Sequence, residues 1–76
     1  MIVVVVVRAT DPHRQAEALR AALGLTLRGA RVEVVLTEPA ATPLAQRAIA
    51  TLRSFGYSVG PSFEVLAAAD RVEVWT

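Results

Sequence analysis

Ile2–Val7 reads IVVVVV, an unbroken run of β-branched side chains that decides the fold. A strand with one face in water alternates apolar and polar residues, whereas a continuous apolar run suits a parallel strand that is covered on both faces. The residues that follow end this strand, because Asp11 can cap a helix and Pro12 suits the first helical position. The run therefore predicts a central strand that leads directly into a helix.

The rest of the chain repeats this strand–helix unit. Helical periodicity predicts helices at 12–27, 44–55 and 63–69, and apolar runs predict further strands at 31–37, 57–59 and 71–75. Gly29 and Gly56 end the first two helices. Because strands and helices alternate, we expect one domain, 1–76, a small three-layer α/β/α fold with a four-stranded, mostly parallel sheet of flavodoxin-like type. We expect the strand order 2-1-3-4 with right-handed crossovers.

Each main helix has an apolar line at helical spacing, which predicts the face turned toward the sheet. The residues expected to point inward are Ala16, Leu19, Leu23, Leu27 and Ala30 in the first helix, and Leu44, Ala48, Ile49, Leu52 and Phe55 in the second. A second line, Ala18, Ala22 and Leu25, makes the first helix more apolar than one buried face requires. We expect this second line, together with Trp75, to contact another subunit.

The composition favours an oligomer. Hydrophobic residues make up 54% of the chain, and the mean hydropathy is +0.46. Domains this small often need a disulfide, a metal or a partner subunit for stability. The chain has no cysteine, and His13 is its only histidine, so neither a disulfide nor a helical pair of metal-binding histidines can form. A second copy or a related subunit is the expected aid, and we assign no metal and no cofactor.

The charges and the apolar run exclude two classes of partner. The net charge is +1, and the arginines are scattered among acidic residues, whereas nucleic-acid binders cluster them on one stripe. The run Ile2–Val7 is much shorter than the roughly 20 apolar residues of a membrane span, and no basic leader precedes it. We therefore expect a cytoplasmic protein that binds neither nucleic acid nor membrane.

Ligands of parallel α/β sheets bind beyond the carboxyl ends of the strands, where the order of the strands reverses. If the first and third strands are neighbours, Arg8, Thr10, His13 and Ser62 line one crevice that suits an anion. In the alternative interpretation, Thr10, Asp11 and Ser62 only cap helices. The turn after the first strand contains no glycine, which argues against a phosphate-binding loop.

We assign no catalytic residue. His13 could act as a base only for Thr10 or Ser62, and no G-x-S-x-G turn surrounds Ser62. No paired carboxylates are evident, and Glu33 and Glu73 lie in the middle of strands, where we expect outward-facing charges at the edges of the sheet. An enzyme is therefore the weakest of the functions considered.

Two segments resemble a known superfamily. Residues 16–37 read AEALRAALGLTLRGARVEVVLT, and residues 62–76 read SFEVLAAADRVEVWT, with a final strand that ends in tryptophan. Together they resemble the DsrE/DsrF/DsrH superfamily, which includes the TusB, TusC and TusD sulfur-relay subunits, and the closing segment is most similar to the DsrH/TusB end. The chain is shorter than typical members, and an element is missing between residues 38 and 60.

The resemblance implies an assembling α/β subunit, because members of the superfamily commonly form trimers or hexamers. Its sulfur carriers use a cysteine persulfide, and this chain has no thiol that could form one. We therefore expect a non-catalytic structural or interaction subunit, accessory to sulfur relay and paired with itself or with related subunits. The alternative is a small-molecule or anion-binding module at the carboxyl ends of the strands.

Overall fold

Strands and helices alternate along the whole chain in the computed structural model, which describes residues 1–76. The strands are β1 (Ile2–Val7), β2 (Arg31–Leu36), β3 (Val59–Gly60) and β4 (Arg71–Trp75), and the helices are α1 (Pro12–Thr26), α2 (Pro43–Ser54) and a 3₁₀ helix (Phe63–Ala68). Every element begins and ends within two residues of its predicted bounds. The predicted third helix has 3₁₀ geometry over six residues.

The two long helices begin and end within one residue of the predicted bounds. The Asp11 carboxylate accepts a hydrogen bond from the His13 amide at 3.2 Å, and Pro12 takes the first helical position. The Thr42 hydroxyl accepts one from the Ala45 amide at 3.1 Å. Gly56, two residues after the end of α2, has φ of +87°, a conformation that residues with a Cβ rarely adopt. These local signals set the length of each strand–helix unit.

The four strands form one all-parallel sheet in the order β3-β2-β1-β4. The α/β class and the four-stranded parallel sheet are confirmed, but the predicted strand order 2-1-3-4 is wrong. Two successive crossovers through α1 and α2 carry the chain outward on one face of the sheet, so β3 lies beside β2. The chain then returns across the other face through the 3₁₀ helix and places β4 beside β1.

The two faces of the sheet are covered unequally. Val3, Val5 and Val7 pack under α1 and α2, in a core of 12 buried residues. On the other face, Val4, Val6 and Val35 form a core of three buried residues under the 3₁₀ helix alone. All of Val3–Val7 are buried, which confirms that β1 is central. The short 3₁₀ helix does not reach the far edge of the sheet, and β4 keeps exposed valines there.

The residues predicted to point inward are buried or half-buried in the middle turns of the helices and exposed at the helix ends. Leu19, Ile49 and Leu52 are buried as predicted. Leu27 and Leu44, by contrast, are 85% and 67% exposed, and Phe55 is also exposed. All three lie in the terminal turns or caps of their helices.

The second apolar line of α1 lies against the core. Ala18 and Ala22 are fully buried, so they offer no surface to a partner, and Leu25 is half-buried against the same core. The small alanine side chains let α1 pack closely on the sheet. Of the residues expected at an interface, only Leu25 and Trp75 keep part of their surface in solvent.

Glu33 does not lie at an edge as predicted, since β2 is an interior strand and this side chain is buried. Its carboxylate accepts hydrogen bonds from the Ser58 amide at 2.9 Å, from the Ser58 hydroxyl, and from Arg31 Nε at 3.2 Å. Burial raises the pKa of Glu33, but the hydrogen bonds from Ser58 and Arg31 outweigh it, so the pKa lies below its ordinary value. The carboxylate thereby fastens the start of β3 to β2.

We predict that Glu33→Gln lowers the free energy of unfolding by about 1–3 kcal/mol at pH 7, because Ser58 and Arg31 lose a charged acceptor. The folded pKa lies below the unfolded value of about 4.3, so this stabilisation is complete above that value and is lost as the pH falls through the folded pKa. Urea denaturation at pH 7 and pH 3 measures both effects. Glu38→Gln, at an exposed loop position, is the control. An unchanged pH dependence in Glu33→Gln would contradict this role.

Candidate functional site

With the observed strand order, the crevice in which ligands are expected lies between β1 and β4, and not between β1 and β3. The crossover that leaves β1 runs over one face of the sheet, and the crossover that enters β4 runs over the other, so the strand order reverses between these two strands. Ligands of doubly wound sheets bind beyond the carboxyl ends of the strands at such a point. In this chain Arg8 and Thr10 follow β1, and Thr76 follows β4.

At the reversal of strand order between β1 and β4, residues of the protein contact one another. The Arg14 guanidinium lies over the Trp75 ring, with Cζ at 4.6 Å from the ring centroid. Arg14 Nε also donates a hydrogen bond to the Thr76 carbonyl at 3.3 Å, and the Arg8 amide donates one to the Trp75 carbonyl at 2.8 Å. A cation–π contact of this kind is worth about 0.5–1 kcal/mol at an exposed site. These contacts hold Trp75 on the helix face of β4.

The four predicted ligand residues do not come together in one crevice. Arg8, Thr10 and His13 are exposed around the start of α1, whereas Ser62 follows β3, and β2 lies between β1 and β3. The assumption that β1 and β3 are neighbours is therefore wrong. The Ser62 hydroxyl accepts a hydrogen bond from the Glu64 amide at 3.2 Å and so caps the 3₁₀ helix, as in the alternative interpretation.

Gln15 is a buried polar residue that the sequence analysis missed. Its Nε2 donates hydrogen bonds to the carbonyls of Pro39 at 3.0 Å and Glu38 at 3.4 Å, and its Oε1 accepts one from the Ala41 amide at 3.0 Å. The side chain thereby holds the loop between β2 and α2 against α1. The sequence does contain a signal for the burial of Gln15, because this residue lies on the same face of α1 as the buried Ala18 and Leu19.

A concave surface lies between the two long helices, away from the strand ends. We call it the α1–α2 groove. It has a volume of about 720 Å³, is open to solvent, and is lined by His13, Ala16, Glu17, Arg20, Leu23, Leu44, Arg47 and Ala48. Glu17 Oε1 lies 3.6 Å from His13 Nε2, and its Oε2 lies 3.8 Å from Arg14 Nη1. Neither Arg20 nor Arg47 has a carboxylate within 4.0 Å.

The free side of β4 is the second surface of interest, and we call it the β4 edge. Val72 and Val74 are 46% and 57% exposed, and they lie on the face of the sheet that carries the 3₁₀ helix, in register with Val4 and Val6. Arg71 and Glu73 point to the helix face and form an ion pair with each other. At the opposite edge of the sheet, β3 has only two residues.

No protein-family model, no curated protein and no solved structure matches this chain. No three histidine or acidic side chains come together as a possible metal site, and none of the helices combines the length and apolar character needed to cross a bilayer. The fold and its surfaces define a small α/β domain with a four-stranded parallel sheet.

We predict that Gln15→Ala lowers the free energy of unfolding by about 1–3 kcal/mol, because the Ala41 amide and two loop carbonyls lose their partner. The exposed Gln46→Ala is the control and should change stability by less than about 0.5 kcal/mol. Urea denaturation of both variants measures the difference. Equal stability of the two would show that the Gln15 clamp contributes nothing.

Proposed function

We propose that this chain is a non-catalytic interaction subunit that assembles through the β4 edge. The observation that carries the proposal is the exposure of Val72 and Val74 on an edge strand of five residues. An edge strand presents unpaired backbone N–H and C=O groups, which can pair with a strand of another chain. Exposed apolar surface on the same strand adds a hydrophobic gain to that pairing.

The two edges of the sheet differ in how they resist such pairing. Proteins commonly protect sheet edges with very short strands, prolines, lysines or bulges. The β3 edge is protected because it is only two residues long. β4 contains no proline and no lysine, and its two charged residues, Arg71 and Glu73, form an ion pair with each other on the helix face. Its residues pair with β1 in unbroken register from Arg71 to Trp75. The β4 edge is therefore the one that favours association.

The resemblance to the DsrE/DsrF/DsrH superfamily supports a finer form of the proposal. In that form the chain is a structural subunit accessory to sulfur relay, and its partners are further copies or related subunits that carry the cysteine. The absence of any thiol supports a role in assembly, since persulfide transfer requires a thiolate. Trp75 and the half-buried Leu25 lie on the helix face near β4, where they would border the contact.

We predict that the unmodified protein is a dimer or larger at micromolar concentration and that Val74→Lys shifts it to monomer. The lysine places a charge at the β4 edge and removes apolar contact area. Leu44→Lys is the control, because it changes a similarly exposed side chain on α2, which packs beside β3 at the other edge. Sedimentation equilibrium measures the mass, and circular dichroism confirms the fold. An unmodified protein that is monomeric at 100 times that concentration would overturn the proposal.

The α1–α2 groove favours a second candidate function, the binding of an organic anion. Arg20 and Arg47 lie on opposite walls without carboxylate partners, and Leu23, Leu44 and Ala48 supply apolar surface between them. His13, which the sequence analysis proposed as a ligand residue, lines the same groove. A groove of this volume falls in the usual range for small-molecule sites, about 300–1,000 Å³. A carboxylate with an apolar chain matches both features.

We predict that dodecanoate binds more tightly than dodecanol and that the double variant Arg20→Gln and Arg47→Gln weakens its binding roughly threefold to tenfold at low salt. Chemical-shift changes at Leu23 and Ala48 in a titration followed by NMR measure the affinity. Arg28→Gln, which changes another exposed arginine outside the groove, is the control. Equal binding of the acid and the alcohol would exclude a role for the two arginines.

A further inference from the structure

We propose that two copies of the chain pair antiparallel through β4, with Val72 on the two-fold axis and Arg71 of each copy opposite Glu73 of the partner subunit. This inference rests on the proposed assembly through the β4 edge and specifies its partner and its register. The features that carry it are the direction of the backbone groups of β4 and the order of charges along that strand.

The backbone decides which residues of β4 can bond to a new strand. The Trp75 carbonyl accepts a hydrogen bond from the Arg8 amide, so the carbonyl of Trp75 faces β1. Backbone groups of successive residues in a strand point to alternate sides. Arg71, Glu73 and Trp75 therefore bond to β1, and the amides and carbonyls of Val72 and Val74 face the open edge. In an antiparallel pair, only these two valines can exchange both hydrogen bonds with the partner strand.

Three registers satisfy this backbone requirement, and charge distinguishes them. If Val72 pairs with Val74 of the partner subunit, Glu73 lies opposite Glu73 of the partner subunit, and like charges directly opposite each other are destabilising. If Val74 pairs with its own copy, Glu73 faces the partner's Trp75, and no opposite charges meet. If Val72 pairs with its own copy, Arg71 faces the partner's Glu73, and the symmetry makes this contact twice. The last register is the favoured one.

The favoured register also agrees with the faces of the sheet. Arg71 and Glu73 both point to the helix face, where they already pair within one strand. Two such pairs brought side by side form a network of four alternating charges. On the other face, the exposed part of Val72 meets the same part of the partner's Val72, and Val74 lies diagonally nearby. The sequence Arg-Val-Glu is thus its own antiparallel complement, which fits a second copy of this chain.

The absence of cysteine makes a cross-linking test direct. Paired residues that exchange backbone hydrogen bonds have Cα atoms about 5.5 Å apart, within the disulfide range of about 4.4–6.8 Å. We expect Val72→Cys to form a disulfide-linked dimer on mild oxidation. The two copies of Val74→Cys lie four positions apart along the strands, roughly 13 Å, and should not cross-link.

Each other outcome of this test has a definite meaning. Cross-linking of Val74→Cys alone would place Val74 on the axis and overturn the register. Cross-linking only in a mixture of the two variants would place Glu73 on the axis and also overturn it. If the unmodified protein is dimeric but neither cysteine variant nor their mixture cross-links, another surface forms the dimer. A monomeric unmodified protein would overturn the proposed assembly itself.

Charge reversal tests the same register independently. Arg71→Glu puts two acidic residues opposite each other, and Glu73→Arg puts two basic ones there, so each variant should dimerise more weakly by roughly tenfold or more. A mixture of the two variants restores opposite charges at both contacts, and we expect a heterodimer as stable as the unmodified dimer. The double variant Arg71→Glu with Glu73→Arg should also dimerise normally. Failure of both the mixture and the double variant to associate, with the fold intact, would overturn the pairing.

Discussion

The burial of β1 on both faces and its hydrogen bonding on both sides constrain everything else in this fold. Five consecutive valines, Val3–Val7, are removed from water, so the chain must supply cover above and below the strand and a partner at each side. α1 and α2 fulfil this on one face. On the other face the six-residue 3₁₀ helix is the only cover, and it protects β1 but leaves β4 partly bare. Val72 and Val74 of β4 are exposed because the two faces of the sheet are covered unequally.

Much of the fold follows from local signals in the sequence. The apolar run of β1, the aspartate and threonine caps, the prolines after them and the glycine at the end of α2 each act over a few residues, so their effect can be predicted from the sequence. The number, type and bounds of the elements were predictable for this reason. The strand order was not predictable, because each crossover can place the next strand at either edge of the growing sheet. No local residue determines which edge the chain takes.

The errors about particular residues come from the same source. Glu33 was expected at an edge, and its burial follows only once β2 is known to be interior and Ser58 to lie beside it. Arg8, Thr10, His13 and Ser62 were grouped on the assumption that β1 and β3 are neighbours. Leu44 and Phe55 have the right helical spacing, but they lie at the ends of α2 and stay more than half exposed. Periodicity identifies a face of a helix, whereas the layout of the sheet determines how much of that face is covered.

The proposed function depends on one interaction, the pairing of the backbone groups of Val72 and Val74 with a second chain. Amide exchange followed by NMR tests this pairing most directly, residue by residue. At concentrations where the protein is assembled, the Val72 and Val74 amides should exchange slowly, and dilution should make them exchange fast while the amides of β1 stay protected. Fast exchange of Val72 and Val74 at every concentration would contradict this pairing, because it would show that the β4 edge stays open to water.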